Sequence, residues 1–319
     1  MDISTQETPR YSATPTVILA ADKSTGEQLM ELFITEEHTE HYLALQAGGD
    51  SDRGILTGVL GGIGGCALVG LGLLGAMQGK LDITYMTFVT GLFLFLVPFF
   101  WEVLRPLPLP ILFNRRTREV YFYHEGNLYH APWDGICAVA NEFQLVGAQI
   151  GGMQSASLEI RMWKFEESET ALMVSLGSPF GKSLEMQKGF WEYIRSYMNN
   201  GPYFDEYGNH SESDVFVQGQ LSVRPRMSDS FKQTLERIKQ AKRENGGKNY
   251  LRSIDVLGLV LDLCFYPTCR IQELTYSLAK RRSRNLWPKV VTERLKPDGP
   301  NTRLVDLEDR QDRVASNEG

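Results

Sequence analysis

The chain has 319 residues, with 33 Lys and Arg against 39 Asp and Glu, a formal net charge of −6. Hydrophobic residues make up 42%, which excludes a disordered chain and a polytopic transporter, and the length allows about two folded units. Four cysteines (Cys66, Cys137, Cys264 and Cys269) are too few and too scattered for a disulfide scaffold.

Met1 to Arg10 carries acids and Pro where a cleaved signal needs a basic start and an apolar run. Secretion by that route is not expected. Residues 1–53 hold ten acids and three bases, a net of −7. This segment is too polar for a core of its own and is expected to pack on something else. Ser24-Thr25-Gly26-Glu27 reads as a cap for a short helix over Gln28 to Phe33.

No charge occurs from Gly54 to Gly79, and none from Ile83 to Trp101. About 20 helical residues cross a hydrocarbon core of about 30 Å, so the pattern predicts two spans, about 55–77 and 83–103, joined tightly at Lys80, Leu81 and Asp82. Bases flank the open end (Arg53, Arg105, Arg115, Arg116, Arg118) and only Lys80 marks the turn. That asymmetry predicts two passes of the inner membrane with both termini cytoplasmic. Glycines spaced by four, Gly54-Gly58-Gly62 and Gly61-Gly65, let a second helix approach closely. Two partners suit them: a second copy of the chain, making a homodimer, or the chain's own second span with its bulky Phe93, Phe95, Phe99 and Phe100. Neither span has an internal ionisable group, since Glu102 lies at the edge; a pump or ion pathway is therefore disfavoured.

Arg105-Pro106-Leu107-Pro108-Leu109-Pro110 is a stiff extended exit. Beyond it the apolar period changes to two. Short strands are expected over 111–113, 119–124, 128–130, 136–139, 158–163 and 171–176, separated by turns. Phe190, Trp191, Ile194, Tyr197 and Met198 then form a helical stripe that Gly201-Pro202 stops. Many strands closed by one amphipathic helix over 105–202 is the layout of a pleckstrin-homology-like barrel.

The stretch from Leu104 to Pro202 resembles an uncharacterised bacterial family in which a transmembrane hairpin precedes such a domain, often encoded near type VI secretion genes. The resemblance is carried by Phe113-Asn114-Arg115-Arg116-Thr117-Arg118-Glu119-Val120-Tyr121, Trp133-Asp134-Gly135-Ile136 and Phe190-Trp191-Glu192-Tyr193-Ile194-Arg195-Ser196-Tyr197-Met198. It covers about a third of the chain plus the hairpin. It implies cytoplasmic placement at a Gram-negative inner membrane and a protein partner, either a secreted toxin countered by immunity or a secretion component. It transfers no activity.

Residues 203–296 read as a basic, mainly helical region. Between Arg224 and Lys296 there are 17 bases against seven acids. Ser228-Asp229-Ser230 starts a helix that Gly246-Gly247 ends. The stretch from Ile254 to Tyr266 is apolar but short, and Asp255 and Asp262 interrupt it, which suits a buried or interfacial helix better than a third span. Lys280, Arg281, Arg282 and Arg284, with Trp287 close behind, suit anionic lipid headgroups, each base contributing about 1 kcal/mol near the surface. A clamp on the acidic N-terminal segment suits them equally. Nucleic-acid binding is not expected, because no recognition motif accompanies the charge. Residues 297–319 are polar and read as a disordered tail.

No enzyme signature survives inspection, and neither a cofactor nor a metal is expected. Gly177-Ser178-Pro179-Phe180-Gly181-Lys182-Ser183 mimics a phosphate loop but has three residues between its glycines, not four. It reads instead as a turn with Ser183 as helix cap. Cys264 and Cys269 are too far apart for a zinc or redox pair. His38 and His41 read as a solvated helix face, and His124 and His130 as strand surface. The expected architecture is thus an α+β membrane protein: an acidic segment (1–53), a transmembrane hairpin (54–104), an antiparallel β-barrel-like, pleckstrin-homology-like domain capped by one helix (105–202), a helical C-terminal region and a tail.

Overall fold

A computed structural model describes residues 17–47, 53–147, 151–222, 229–244, 246 and 253–309. Expectations for Met1–Arg10, for the Ser228 cap, for Gly247 and for the end of the tail beyond 309 fall outside these residues. The chain is α+β and divides into two units, one of 1–48, 109–221 and 287–319, the other of 49–108 and 222–286.

In the first unit the strands are β1 (Val17–Ala20), β2 (Thr35–His38), β3 (Tyr42–Leu45), β4 (Ile111–Asn114), β5 (Glu119–His124), β6 (Asn127–Pro132), β7 (Cys137–Gly147), β8 (Gly151–Lys164) and β9 (Glu167–Ser175). They form one curled antiparallel sheet in the order β1-β7-β8-β6-β5-β4-β3-β2, with β9 on the other edge of β8. The curl has a local cause. Strand β8 pairs β7 from Gly151 to Ile160 and then pairs β6 at Trp163 and Lys164, so β6 and β7 lie end to end along one edge. The chain turns that corner at Trp133–Ile136, where Gly135 takes φ +88°, a conformation a side chain would oppose.

Alternation of side chains assigns the two faces. Leu43, Leu45, Ile111, Phe113, Val120 and Phe122 point into one core, and Ala44, Leu112 and Tyr121 into a second. A helix later in the chain covers the first core. Numbering the helices in order, the second unit supplies α1 (Ile55–Thr57), a π-helical stretch Gly58–Gly64, α2 (Gly65–Met77) and α3 (Leu81–Leu104); the first unit then adds α4 (Leu184–Asn200) and α5 (Val215–Ser222). Phe190, Trp191, Tyr193, Ile194 and Tyr197 of α4 are all fully buried, each worth about 1.5–3 kcal/mol of burial. Ser183 caps α4 by accepting the Met186 N–H at 3.3 Å.

The acidic N-terminal segment supplies β1, β2 and β3 to this sheet, so it borrows the core it could not build. The helix expected over Gln28 to Phe33 does not form. That stretch runs irregularly along α4, with Met30 N–H bonded to the Gly189 carbonyl at 3.2 Å, and Ser24 and Thr25 donate to Glu192 rather than capping a helix. Glu31, buried, accepts the N–H groups of Phe33, Ile34 and Thr35 at 2.6–2.8 Å. Three backbone donors satisfied by one carboxylate outcompete a single helical turn.

The tail expectation is also corrected. Residues 304–309 are helical, and Leu304 is buried in the second core with Leu307 packed beside it. The reason is a carboxylate: Glu119, fully buried on β5, accepts Leu304 N–H at 2.8 Å and Val305 N–H at 3.3 Å.

The second unit completes itself with α6 (Ser230–Glu244) and α7 (Ser253–Arg284); α8 (Lys289–Arg294) belongs to the first unit. Helices Ile55–Met77 and Leu81–Leu104 are each long and apolar enough to cross a membrane. They are antiparallel neighbours joined at Gln78–Lys80, where Gly79 takes φ +73°.

Candidate functional site

The glycines of the first hairpin helix face two different partners. A Cβ on Gly54 would lie 2.6 Å from the Gln272 carbonyl oxygen, one on Gly58 2.8 Å from the Thr268 carbonyl oxygen, and one on Gly62 2.8 Å from Thr268 Cα. These three seat α7, which neither sequence alternative named. Gly61 meets the Phe95 ring of the second span, as the intrachain alternative expects, and a Cβ on Gly65 would meet only the Leu60 carbonyl oxygen, at 4.0 Å. Of the predicted stripe, then, Gly54, Gly58 and Gly62 pack against α7 of the same chain. The stretch Gly58–Gly64 along this seat is π-helical, a wider turn than the α-helix with i→i+5 bonds.

At the open end of the hairpin, Glu102 is buried and closes the start of α1. Its carboxylate accepts Gly54 N–H and Thr57 N–H, each at 2.9 Å, and the Thr57 hydroxyl. An anion on the first N–H groups of an apolar helix satisfies donors that lipid cannot. Arg53 donates to the Glu102 and Pro106 carbonyls at 3.4 and 3.5 Å. Leu107 N–H donates to Ser283 Oγ at 2.8 Å, which brings the last turn of α7 beside the exit of the second span. Arg281 and Arg282 are exposed there, on the same turn as Lys280 and Arg284. Arg105 lies over the exposed Trp101 ring at 5.8 Å. One end of the hairpin therefore gathers Arg53, Arg105 and the α7 bases, while the turn holds Lys80 and Asp82.

Trp287 is corrected. Expected with these bases at a lipid or partner surface, it is buried in the second core of the β unit, with its ring 6.3 Å from that of Tyr123.

Several titratable groups of the β unit are engaged in its own structure. His38 lies on β2, not on a helix; Nε2 is 2.6 Å from the Pro202 carbonyl and Nδ1 3.0 Å from the Tyr193 hydroxyl. Burial, with Arg115 adding to it, holds this imidazole below its usual 6.5. His130 is buried rather than on the surface, with Nδ1 3.7 Å from Glu119 and Nε2 3.1 Å from Glu308. Glu192, buried, is held below the usual carboxylate range by Arg195 and by the Thr25 and Ser24 donors, which outweigh its desolvation. Burial pushes Lys182 down to about 8, yet its backbone carbonyl serves Ala156 N–H at 2.8 Å as part of a turn. Among the described residues no three His, Cys, Asp or Glu side chains group as metal ligands.

The residues that sequence reasoning missed are Thr268 and Gln272, the partners of the glycines, and Glu119. A Thr opposite Gly-x-x-x-Gly is a detectable signal only once the packing helix is known. Comparison with protein families, with curated proteins and with solved structures finds no match for this chain.

Proposed function

We propose that this is a two-pass inner-membrane protein that holds a non-enzymatic, pleckstrin-homology-like β module at the cytoplasmic face, where the module binds a protein partner. The observation that carries the reading is the hairpin surface. Only 29% and 11% of the most apolar stretches of its two helices are buried, with Leu73 and Phe93 each 63% exposed. A soluble fold would hide such a surface; acyl chains cover it at no cost. The bases at the open end and the single Lys at the turn support cytoplasmic termini. The curled sheet with α4 on one face supports the pleckstrin-homology-like reading, extended by three strands from before the hairpin. That His38, His130, Glu31 and Glu119 bond the protein's own backbone or segments supports a structural rather than catalytic use.

The family resemblance makes type VI secretion the setting to examine, with a secreted toxin or a secretion component as partner. The test is affinity capture from detergent-solubilised membranes, together with deletion of the gene in cells exposed to sibling toxins. A specific captured partner and toxin sensitivity of the deletion strain support the reading; no partner and normal growth remove it. A second reading, sensing of anionic lipid, is favoured by the exposure of Arg281 and Arg282 beside the span exit. Charge reversal of both should then lower the share of anionic phospholipid that copurifies with the full chain.

A further inference from the structure

The sheet has three edge strands, β1, β2 and β9, and they are not alike. Strands β1 and β2 are four residues long, and β2 carries Glu36 and Glu37. Short strands and charged side chains are the usual guards against edge-to-edge pairing. Strand β9 has nine residues and no charge from Thr170 to Ser175. Among the described residues only β8 pairs with it. This edge is unguarded.

The register fixes which backbone groups the edge presents. Leu172 lies opposite Met162 and Val174 opposite Ile160, and two residues on, Leu176 N–H donates to the Leu158 carbonyl at 2.7 Å. Hydrogen-bonded and non-bonded pairs alternate along an antiparallel ladder. Leu172 and Val174 therefore turn their N–H and C=O groups to β8, and Ala171, Met173 and Ser175 turn theirs outward. The side chains of these three are exposed as well, Met173 by 48%. Outward backbone groups beside an exposed apolar side chain are a template for an added strand.

The edge is complementary to itself. Antiparallel pairing about a two-fold axis at Met173 places Met173 opposite Met173 of the second copy, and Ala171 opposite Ser175 of the second copy. Every outward N–H and C=O of the three residues then finds its complement. The same alignment carries Glu167 and Glu169 of each copy past the end of the other's strand, so like charges are not opposed; a parallel alignment would oppose them, which is unfavourable. We infer that β9 pairs with β9 of a second copy of this chain and joins two β units into one continuous sheet. A stretch this short buries far less than the roughly 1,200 Å² of a stable complex between freely diffusing proteins. The pairing therefore relies on copies confined to one membrane plane, where effective concentration is high, and the inference rests on the hairpin being membrane-spanning.

The test uses the full chain in membrane vesicles, its four native cysteines changed to Ala, oxidised with copper phenanthroline. Met173→Cys should form a disulfide dimer several-fold faster than Ala171→Cys or Ser175→Cys alone. The two-fold leaves position 171 four residues, about 13 Å, from itself in the second copy, beyond the roughly 7 Å a disulfide spans; the same holds for 175. Coexpressed Ala171→Cys and Ser175→Cys chains should join where neither joins alone. Met173→Pro removes only an outward N–H, which an edge strand tolerates. Its melting should be unchanged, while energy transfer between donor- and acceptor-tagged copies in one vesicle falls several-fold. Equal oxidation of the three single variants overturns the inference, as does a Met173→Cys product with a different protein, or unchanged energy transfer in folded Met173→Pro. The cysteine series decides the matter whether or not the Pro variant folds. Release of the chain from the vesicles by carbonate would instead sink the anchor, and with it the confinement that the pairing needs.

Discussion

Substitution of Gly62 by Ala tests the seat of α7 on the hairpin. The new Cβ would lie 2.5 Å from Thr268 Oγ1, 2.8 Å from its Cα and 2.9 Å from its N. Two of these atoms are backbone, so no rotamer relieves the clash and α7 must retreat by a large fraction of an ångström. A gap of that size forfeits a quarter to a half of each dispersion contact along the interface, and overpacking of this kind costs about 1–3 kcal/mol. Ala gains about 1 kcal/mol over Gly in helix propensity, which leaves Gly62→Ala about 0–2 kcal/mol less stable. Gly64 is the internal control, since a Cβ there meets nothing within 4 Å, and Gly64→Ala should be more stable by about 1 kcal/mol. The assay is unfolding by SDS in mixed micelles, followed by far-ultraviolet circular dichroism. Thr268→Ala should not rescue Gly62→Ala, because the backbone clash remains. Equal stability of Gly62→Ala and Gly64→Ala would refute the seat.

Three further outcomes follow from the same geometry. Glu102→Gln replaces a carboxylate that accepts from Gly54 and Thr57 and should cost about 1–3 kcal/mol in the same titration; an unchanged midpoint would remove Glu102 as the cap. Because His38 is held below its usual 6.5, the unfolded chain takes up that proton first. Stability is therefore full above about pH 6.5 and falls on acidification below it, and His38→Asn should flatten the slope of melting temperature against pH. Parallel slopes in the two proteins would show that His38 does not contribute. Glu119→Gln weakens the acceptor of Leu304 and Val305 N–H, so hydrogen exchange at 304–307 should accelerate while α4 amides stay protected; unchanged exchange at 304–307 would show that Glu119 does not hold this segment.

The parts of the fold that are legible in the sequence are those set by local periodicity. Strands β4, β5, β6 and β9, the start of β7, the end of β8 and the stripe of α4 follow from alternation and 3.6-residue spacing, and Ser183 from cap chemistry; the arms of β7 and β8 over 140–147 and 151–157 are not expected as strand. Strands β1–β3 are not legible, because strands as short as Thr35–His38 (Thr-Glu-Glu-His) carry too little apolar pattern. Their stability comes from pairing with β4 and β7, which lie on the far side of the hairpin in the chain. His130 reads as surface because its two neighbours, Glu119 and Glu308, come from distant positions and hide it together. Trp287 reads as a lipid anchor because sequence proximity to Lys280–Arg284 says nothing of the turn that separates α7 from α8. The glycine spacing correctly announces close helix packing, but spacing alone does not name a partner, and the partner is a helix that follows the whole β module in the chain.

The proposed function stands on the hairpin crossing the bilayer and leaving the β unit on the basic, cytoplasmic side. The decisive measurement is labelling of spheroplasts by a membrane-impermeant maleimide, with Lys80→Cys reporting the turn and the exposed native Cys137 reporting strand β7. A crossing hairpin gives labelling of Lys80→Cys on intact spheroplasts and of Cys137 only after permeabilisation. Labelling of Cys137 on intact spheroplasts, or of Lys80→Cys only after lysis, would contradict it.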